Sequence, residues 1–157
     1  MTRRMSVRVI GAAVAMATLV PVAGAAAATT SPIGVRIVGS TQLTTVEKPL
    51  LLQDTGTVKG SPVGSGNITL DYRLIPSAST ARVTWTITNA KGSLSGTATA
   101  RYTTTNLAIT FVGRGAIRKG TGAYRGLRAV RLQFNAKHSK TGKKEVISFL
   151  GTATRRR

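Results

Sequence analysis

Between Phe111 and Phe134 the chain reads FVGRGAIRKGTGAYRGLRAVRLQF, two stretches of period-two alternation separated by a glycine-punctuated corner. Leu107, Ile109, Phe111, Gly113, Gly115 and Ile117 share one parity, and Thr110, Arg114 and Arg118 take the other, as a half-buried strand requires. After the corner, Val130, Leu132, Phe134 and Ala136 alternate with Arg131, Gln133, Asn135 and Lys137. In between, Gly120, Gly122 and Gly126 permit positive φ or close backbone approach, and Tyr124 supplies one large ring to pack over them. The pattern predicts a bend that turns one strand of a sheet into the next. Spacing argues for a structural corner over a phosphate-cradling loop. The three glycines are one residue too far apart for the dinucleotide fingerprint, Lys119 precedes its Gly-Thr in the wrong order for a P-loop, and a strand follows where both motifs need a helix.

The rest of the chain repeats this rhythm. Ile33, Val35 and Ile37 predict a short first strand ending at Gly39-Ser40, and Thr41 to Glu47 a second, weak one. A strand over Thr55 to Lys59 leads into the turn or bulge Gly60 to Gly66. Ile68, Leu70, Tyr72 and Leu74 point inward with Thr69, Asp71 and Arg73 outward, and Val83, Trp85 and Ile87 repeat the pattern. Asn89-Ala90-Lys91-Gly92 is a hairpin turn. Leu94, Gly96, Ala98, Ala100 and Tyr102 then face inward on a long strand, and their small side chains leave room for something else to fill. Lys137 to Lys144 forms the last hairpin and Val146 to Thr154 closes the sheet. No stretch after the leader has a helical period, and threonine and glycine stand where helices favour Leu, Glu and Lys. These features predict one all-β domain over residues 29–157, a single antiparallel closed barrel of about eight strands, with a β-sandwich as the competing architecture.

The corner also carries a family resemblance. Gly120-Thr121-Gly122, Tyr124 and Gly126, entered from a strand ending in Ile117, resemble the Ile-x-Gly-Gly-Thr-Gly-x-(Tyr/Phe)-x-Gly stretch of the allene oxide cyclase barrel-like and dirigent-like proteins. Lys119 stands where that family has a first glycine. The resemblance implies an eight-stranded antiparallel barrel whose interior, in the plant members, controls cyclisation or coupling of hydrophobic substrates. The shared motif is architectural and carries no catalytic residue with it.

Arg3, Arg4 and Arg8, the apolar run Val9 to Val22 and the small residues Ala23 to Ala28 form a secretory signal peptide over residues 1–28, too short in its apolar run for a membrane anchor. The expected location is extracellular or at the cell envelope. There is no cysteine, so an exported domain is stabilised here without disulfides. The formal charge is +19, and +16 (19 − 3) once the leader's arginines are gone. A field of that size favours anionic wall polymers, acidic polysaccharides, lipid headgroups or extracellular nucleic acid. The candidate contacts fall into three groups: Arg114, Arg118, Lys119, Arg125, Arg128 and Arg131 about the corner; Lys140, Lys143 and Lys144, with Lys137, in the last hairpin; Arg155, Arg156 and Arg157 in the tail. Arg114 and Arg118 lie about 13 Å apart at ~3.3 Å per strand residue. Few outward aromatics interleave with these charges, so nucleic acid would be held without sequence preference.

The polar inventory excludes much chemistry. His138, the sole histidine, sits in the lysine-rich last hairpin and reads as a solvated loop residue, and no Gly-x-Ser-x-Gly elbow is present. The acids Glu47, Asp54, Asp71 and Glu145 read as scattered salt-bridge partners in preference to a carboxylate pair that meets across the barrel mouth and divides acid and base roles, giving no metal site and no cofactor. Core packing accounts for Tyr72, Trp85, Tyr102, Phe111, Tyr124 and Phe134; in a hollow barrel, Tyr72, Trp85, Tyr102 and Tyr124 would line a cavity for a small hydrophobic ligand. The leading expectation is therefore a non-enzymatic, secreted module that binds anionic polymer. The alternatives are a cyclase- or isomerase-like enzyme working in the barrel cavity, and an extracellular nucleic-acid-binding or antimicrobial cationic protein.

Overall fold

The computed structural model describes residues 31–48, 50–142 and 144–156, the side chains of Glu47 and Lys48 excepted. The expected leader, residues 1–28, and the basic candidates Lys143 and Arg157 lie outside the described residues. Eight strands follow one another: β1 (Ile33–Lys48), β2 (Leu51–Ser61), β3 (Gly64–Ile75), β4 (Thr80–Asn89), β5 (Gly92–Thr104), β6 (Ala108–Gly120), β7 (Leu127–Ser139) and β8 (Lys144–Arg155). Each pairs antiparallel with its neighbours, and β1 pairs with β8 to close the barrel. Closure leaves no free sheet edge, which suits a chain with no disulfide to protect one. Among the described residues no helix is long and apolar enough to cross a membrane.

The barrel has two unlike ends. The corner end carries the β2–β3, β4–β5 and β6–β7 connections; the opposite end, the mouth, carries the β1–β2, β3–β4, β5–β6 and β7–β8 turns. Inward parity fills the interior with Ile37, Ile68, Leu70, Ile87, Leu94, Leu132 and Ile147, together with the large rings. Trp85 stacks at 4.8 Å on Phe149, which stacks at 5.2 Å on Phe134. The glycine of β5 is explained by these rings. Trp85 pairs with Gly96, and a Cβ on Gly96 would stand 2.4 Å from the indole. The space it leaves is occupied by tryptophan, and the Trp85 Nε1 has no hydrogen-bond partner there.

At the corner, β6 passes through a one-turn helix, Gly122–Tyr124, into β7. The buried Tyr124 hydroxyl donates to the Val63 carbonyl at 3.2 Å and accepts from Asn89 Nδ2 at 2.8 Å, which ties the corner to two neighbouring turns.

Several boundaries and facings differ from the sequence expectation. The two short N-terminal strands are one strand, β1, bent by register shifts after Leu43 and Val46. Val130, expected inward, is 76% exposed, because the β7–β8 register breaks between Arg128 and Gln133, leaving both Val130 and Arg131 outside between the buried Ala129 and Leu132. Gly115, Ala116 and Ile117 are all buried at a register shift in β6, where strict alternation would turn Ala116 outward. Leu107, expected inward, lies in the β5–β6 turn and is 71% exposed.

Candidate active site at the barrel mouth

The inward parity of five strands, β1, β2, β3, β7 and β8, converges on polar side chains just inside the mouth. Glu145 opposes His138 across β7–β8 and Thr41 across β8–β1, so the three project from one face of adjacent strands. Asp54 lies on the inward parity of β2, and Tyr72 on that of β3 between Leu70 and Leu74. His138 Nδ1 stands 3.9 Å from Asp54 Oδ2 and 4.0 Å from Glu145 Oε2. The Tyr72 hydroxyl donates to Glu145 Oε1, and Thr41 Oγ1 donates to Asp54 Oδ2 at 3.4 Å. Asp54 is 2% exposed and Glu145 1%.

This corrects two expectations. His138 is half-buried rather than solvated, because β7 runs to Ser139 and keeps its parity past Phe134 and Ala136. Asp54 and Glu145 have no lysine or arginine partner among the described residues; they share His138 instead. Asp71 does face outward as expected, accepting from Gln53 Nε2 at 2.8 Å.

Burial sets the protonation. Desolvation raises Glu145 to about 8, with the Asp54 carboxylate adding to the shift and the Tyr72 hydrogen bond opposing it. Burial raises Asp54 too, against the opposing pull of His138 and Thr41. Tyr72 is pushed well above its ordinary value by burial and by the neighbouring Glu145 charge, so it stays a phenol. At neutral pH the site therefore holds a neutral carboxylic acid at Glu145, beside a second carboxyl group and an imidazole, and can give or take a proton without bulk water. Asp54, His138 and Glu145 also each offer one ligand atom within 4.8 Å of the others, an arrangement able to hold a divalent cation.

The side chains between the site and the mouth are apolar. Leu52, Leu74, Tyr102 and Ile109 are half-buried at the mouth ends of β2, β3, β5 and β6, and Tyr102 and Tyr72 flank Phe111 at 5.9 and 5.0 Å. Of the aromatic cavity candidates, Tyr72 belongs to the site and Tyr102 to its rim. Trp85 is deep in the packed core, and the Tyr124 hydroxyl is engaged at the far end. The basic candidates lie on the outer surface, Lys140 and Lys144 in the hairpin that carries His138 and Glu145. Arg114, Arg118, Lys119, Arg125, Arg131, Lys140, Lys144, Arg155 and Arg156 are exposed, and Arg128 is half-buried with its Nη1 on the Leu127 carbonyl at 3.1 Å. Sequence reasoning passed over Asp54, His138 and Glu145, although each carries the parity of buried neighbours. No family model matches this chain, and no curated protein or solved structure matches it.

Proposed function

We propose that this is a secreted barrel enzyme of the isomerase or cyclase class, acting by proton transfer on a small hydrophobic molecule that enters at the mouth. One observation carries the reading: the chain has four acids and one histidine, and two of those acids and the histidine meet inside the barrel with a tyrosine. Burying carboxyl groups with no Lys or Arg partner costs several kcal/mol, and apolar side chains would close the barrel more stably. Strongly shifted groups gathered in a water-poor recess are the usual mark of acid–base chemistry. Glu145 is the proton donor in this scheme and Tyr72 fixes its carboxyl. Asp54 and His138 form the receiving pair, and the apolar rim admits a substrate bearing one carbonyl or hydroxyl oxygen. The resemblance at the corner bears on the barrel architecture alone, and the basic leader and small-residue tract support export.

The test is a panel of hydrophobic ketones and enones in heavy water, with NMR following washout of the proton α to the carbonyl. A ligand that raises Tm should show catalysed exchange, falling at least tenfold in Glu145→Gln and unchanged in Asp71→Asn. Exchange equal in Glu145→Gln would overturn the assignment. So would strong thermal stabilisation by micromolar Zn²⁺ or Mn²⁺ that Glu145→Gln abolishes, since the cluster would then hold a metal in place of the proton.

A further inference from the structure

We infer that the outer wall of β3 to β6 is a binding surface for a flexible polyanion without bases, independent of the interior site. Arg73 and Arg82 stand directly opposite each other across β3–β4. The same transverse row continues through Thr99 on β5 to Arg114 on β6. Arg101, two residues beyond Thr99, lies diagonal to both Arg82 and Arg114. All four arginines are exposed, and among the described residues none has a carboxylate within salt-bridge distance. At about 4.8 Å per strand, the row from Arg73 to Arg114 spans roughly 14 Å.

Like charges directly opposite in a sheet repel, and a folded protein ordinarily interposes an acid. Asp54 and Glu145 are inside the barrel, and among the described side chains the acid on this face is Asp71, diagonal to Arg82, which accepts from Gln53 at 2.8 Å and Thr84 at 3.4 Å. One carboxylate against four arginines leaves this wall strongly positive, so most of its counter-charge must come from outside. A guanidinium presents a rigid fork of donors that matches the oxyanions of phosphate and carboxylate, and the outward Thr99 stands in the row between Arg82 and Arg114. Beyond Arg114 the row runs into a shallow groove of about 320 Å³ floored by Gly113 and edged by Arg131.

The shape of the patch selects the partner. It follows the curvature of four of the eight strands, running around the barrel rather than along it. A rigid duplex meets such a convex wall along a line, whereas a flexible chain can follow the row. Single-stranded nucleic acid needs outward rings for its bases, and Tyr72, Trp85, Phe111, Tyr124, Phe134 and Phe149 are buried, while the half-buried Tyr102 packs against the core at the mouth. What remains is a chain of oxyanions without bases, either a polyphosphate ester or an acidic polysaccharide.

The test compares two quadruple variants of the full protein: Arg73→Gln/Arg82→Gln/Arg101→Gln/Arg114→Gln, and a control of equal charge, Lys59→Gln/Lys91→Gln/Lys140→Gln/Lys144→Gln. Binding to inorganic polyphosphate, polygalacturonate, oligo-dT and duplex DNA is measured across a salt series. Each phosphate contact contributes about 0.7–0.9 to the log–log salt slope, so the arginine variant should flatten the polyphosphate slope by about 3 and the control by less than 1. Tm should stay level or rise in the arginine variant as the facing charges are removed. Preference between polyphosphate and polygalacturonate identifies the natural oxyanion. Equal losses in the two variants, or tighter binding of either nucleic acid than of both base-free polymers, would overturn the inference.

Discussion

At pH 5 the barrel is expected to be more stable than at pH 8.5 by several kcal/mol, and Glu145→Gln should remove most of that difference. The cause is the buried carboxyl group, raised to about 8 in the fold from its ordinary 4.5. Between those values the folded chain holds a proton that the unfolded chain releases, so stability falls as pH rises, by up to about 1.4 kcal/mol per unit. The contribution is complete below pH 4.5, declines through the window and is gone above pH 8. Asp54, also raised by burial, adds a fall of the same sign. Most acid-sensitive proteins show the opposite trend, because their carboxylates are paired with cations in the native state. Glutamine keeps an acceptor for the Tyr72 hydroxyl and cannot ionise, so the variant isolates the carboxyl proton from every other titration. Urea midpoints measured each half unit from pH 4.5 to 9 give the result directly. Parallel curves for the two proteins would show that Glu145 ionises freely, and would take the proton donor out of the proposed mechanism.

The barrel was legible because its signal is local. Period-two alternation recurs on strand after strand, and the inward residues named for β3, β4 and β5 are the buried ones, with only Leu74 and Tyr102 half-buried toward the mouth. Where the register slips, alternation misleads: Val130 fits the pattern of Leu132 and Phe134, yet the break in β7–β8 pairing turns it out. The polar site was hidden by habits of composition rather than by missing information. His138 continues the parity of Phe134 and Ala136, Glu145 that of Ile147 and Phe149, and Asp54 that of Val58, so the rule that places the core points each of them inward too. A lysine-rich neighbourhood makes His138 read as solvent-facing, because nothing in it marks that the strand runs on to Ser139 before the turn. What no single strand could reveal is their convergence, which depends on β8 closing against β1 and bringing Thr41, Glu145 and His138 side by side. The arginine wall was half visible: the charge was plain, but Arg73, Arg82 and Arg101 become neighbours of Arg114 only through pairing across β3 to β6.

The corner that seals the far end should be the least forgiving part of the chain, and Gly122→Val is expected to cost at least about 3 kcal/mol against roughly 1 for Thr121→Val. Gly122 has φ of +54°, where a β-branched side chain is strained, and a Cβ there would stand 2.2 Å from the Lys91 carbonyl oxygen. That carbonyl cannot withdraw without loss, since it accepts the Ala123 amide at 2.8 Å and so binds the corner to the β4–β5 turn. Thr121, by contrast, is extended at φ −120°; its Oγ1 accepts the Ser93 amide at 2.9 Å, and valine forfeits that bond while keeping the backbone and nearly the same volume. The damage from Gly122→Val should also travel, because displacing the one-turn helix moves Tyr124 off Val63 and Asn89 and opens the packed end of the barrel. Tyr124→Phe, which keeps the ring and removes only the hydroxyl, should therefore fall between the two. Chemical denaturation of the three variants orders them. Equal midpoints for Gly122→Val and Thr121→Val would mean that the corner tolerates a side chain, and the barrel would owe its closed end to the core rings alone.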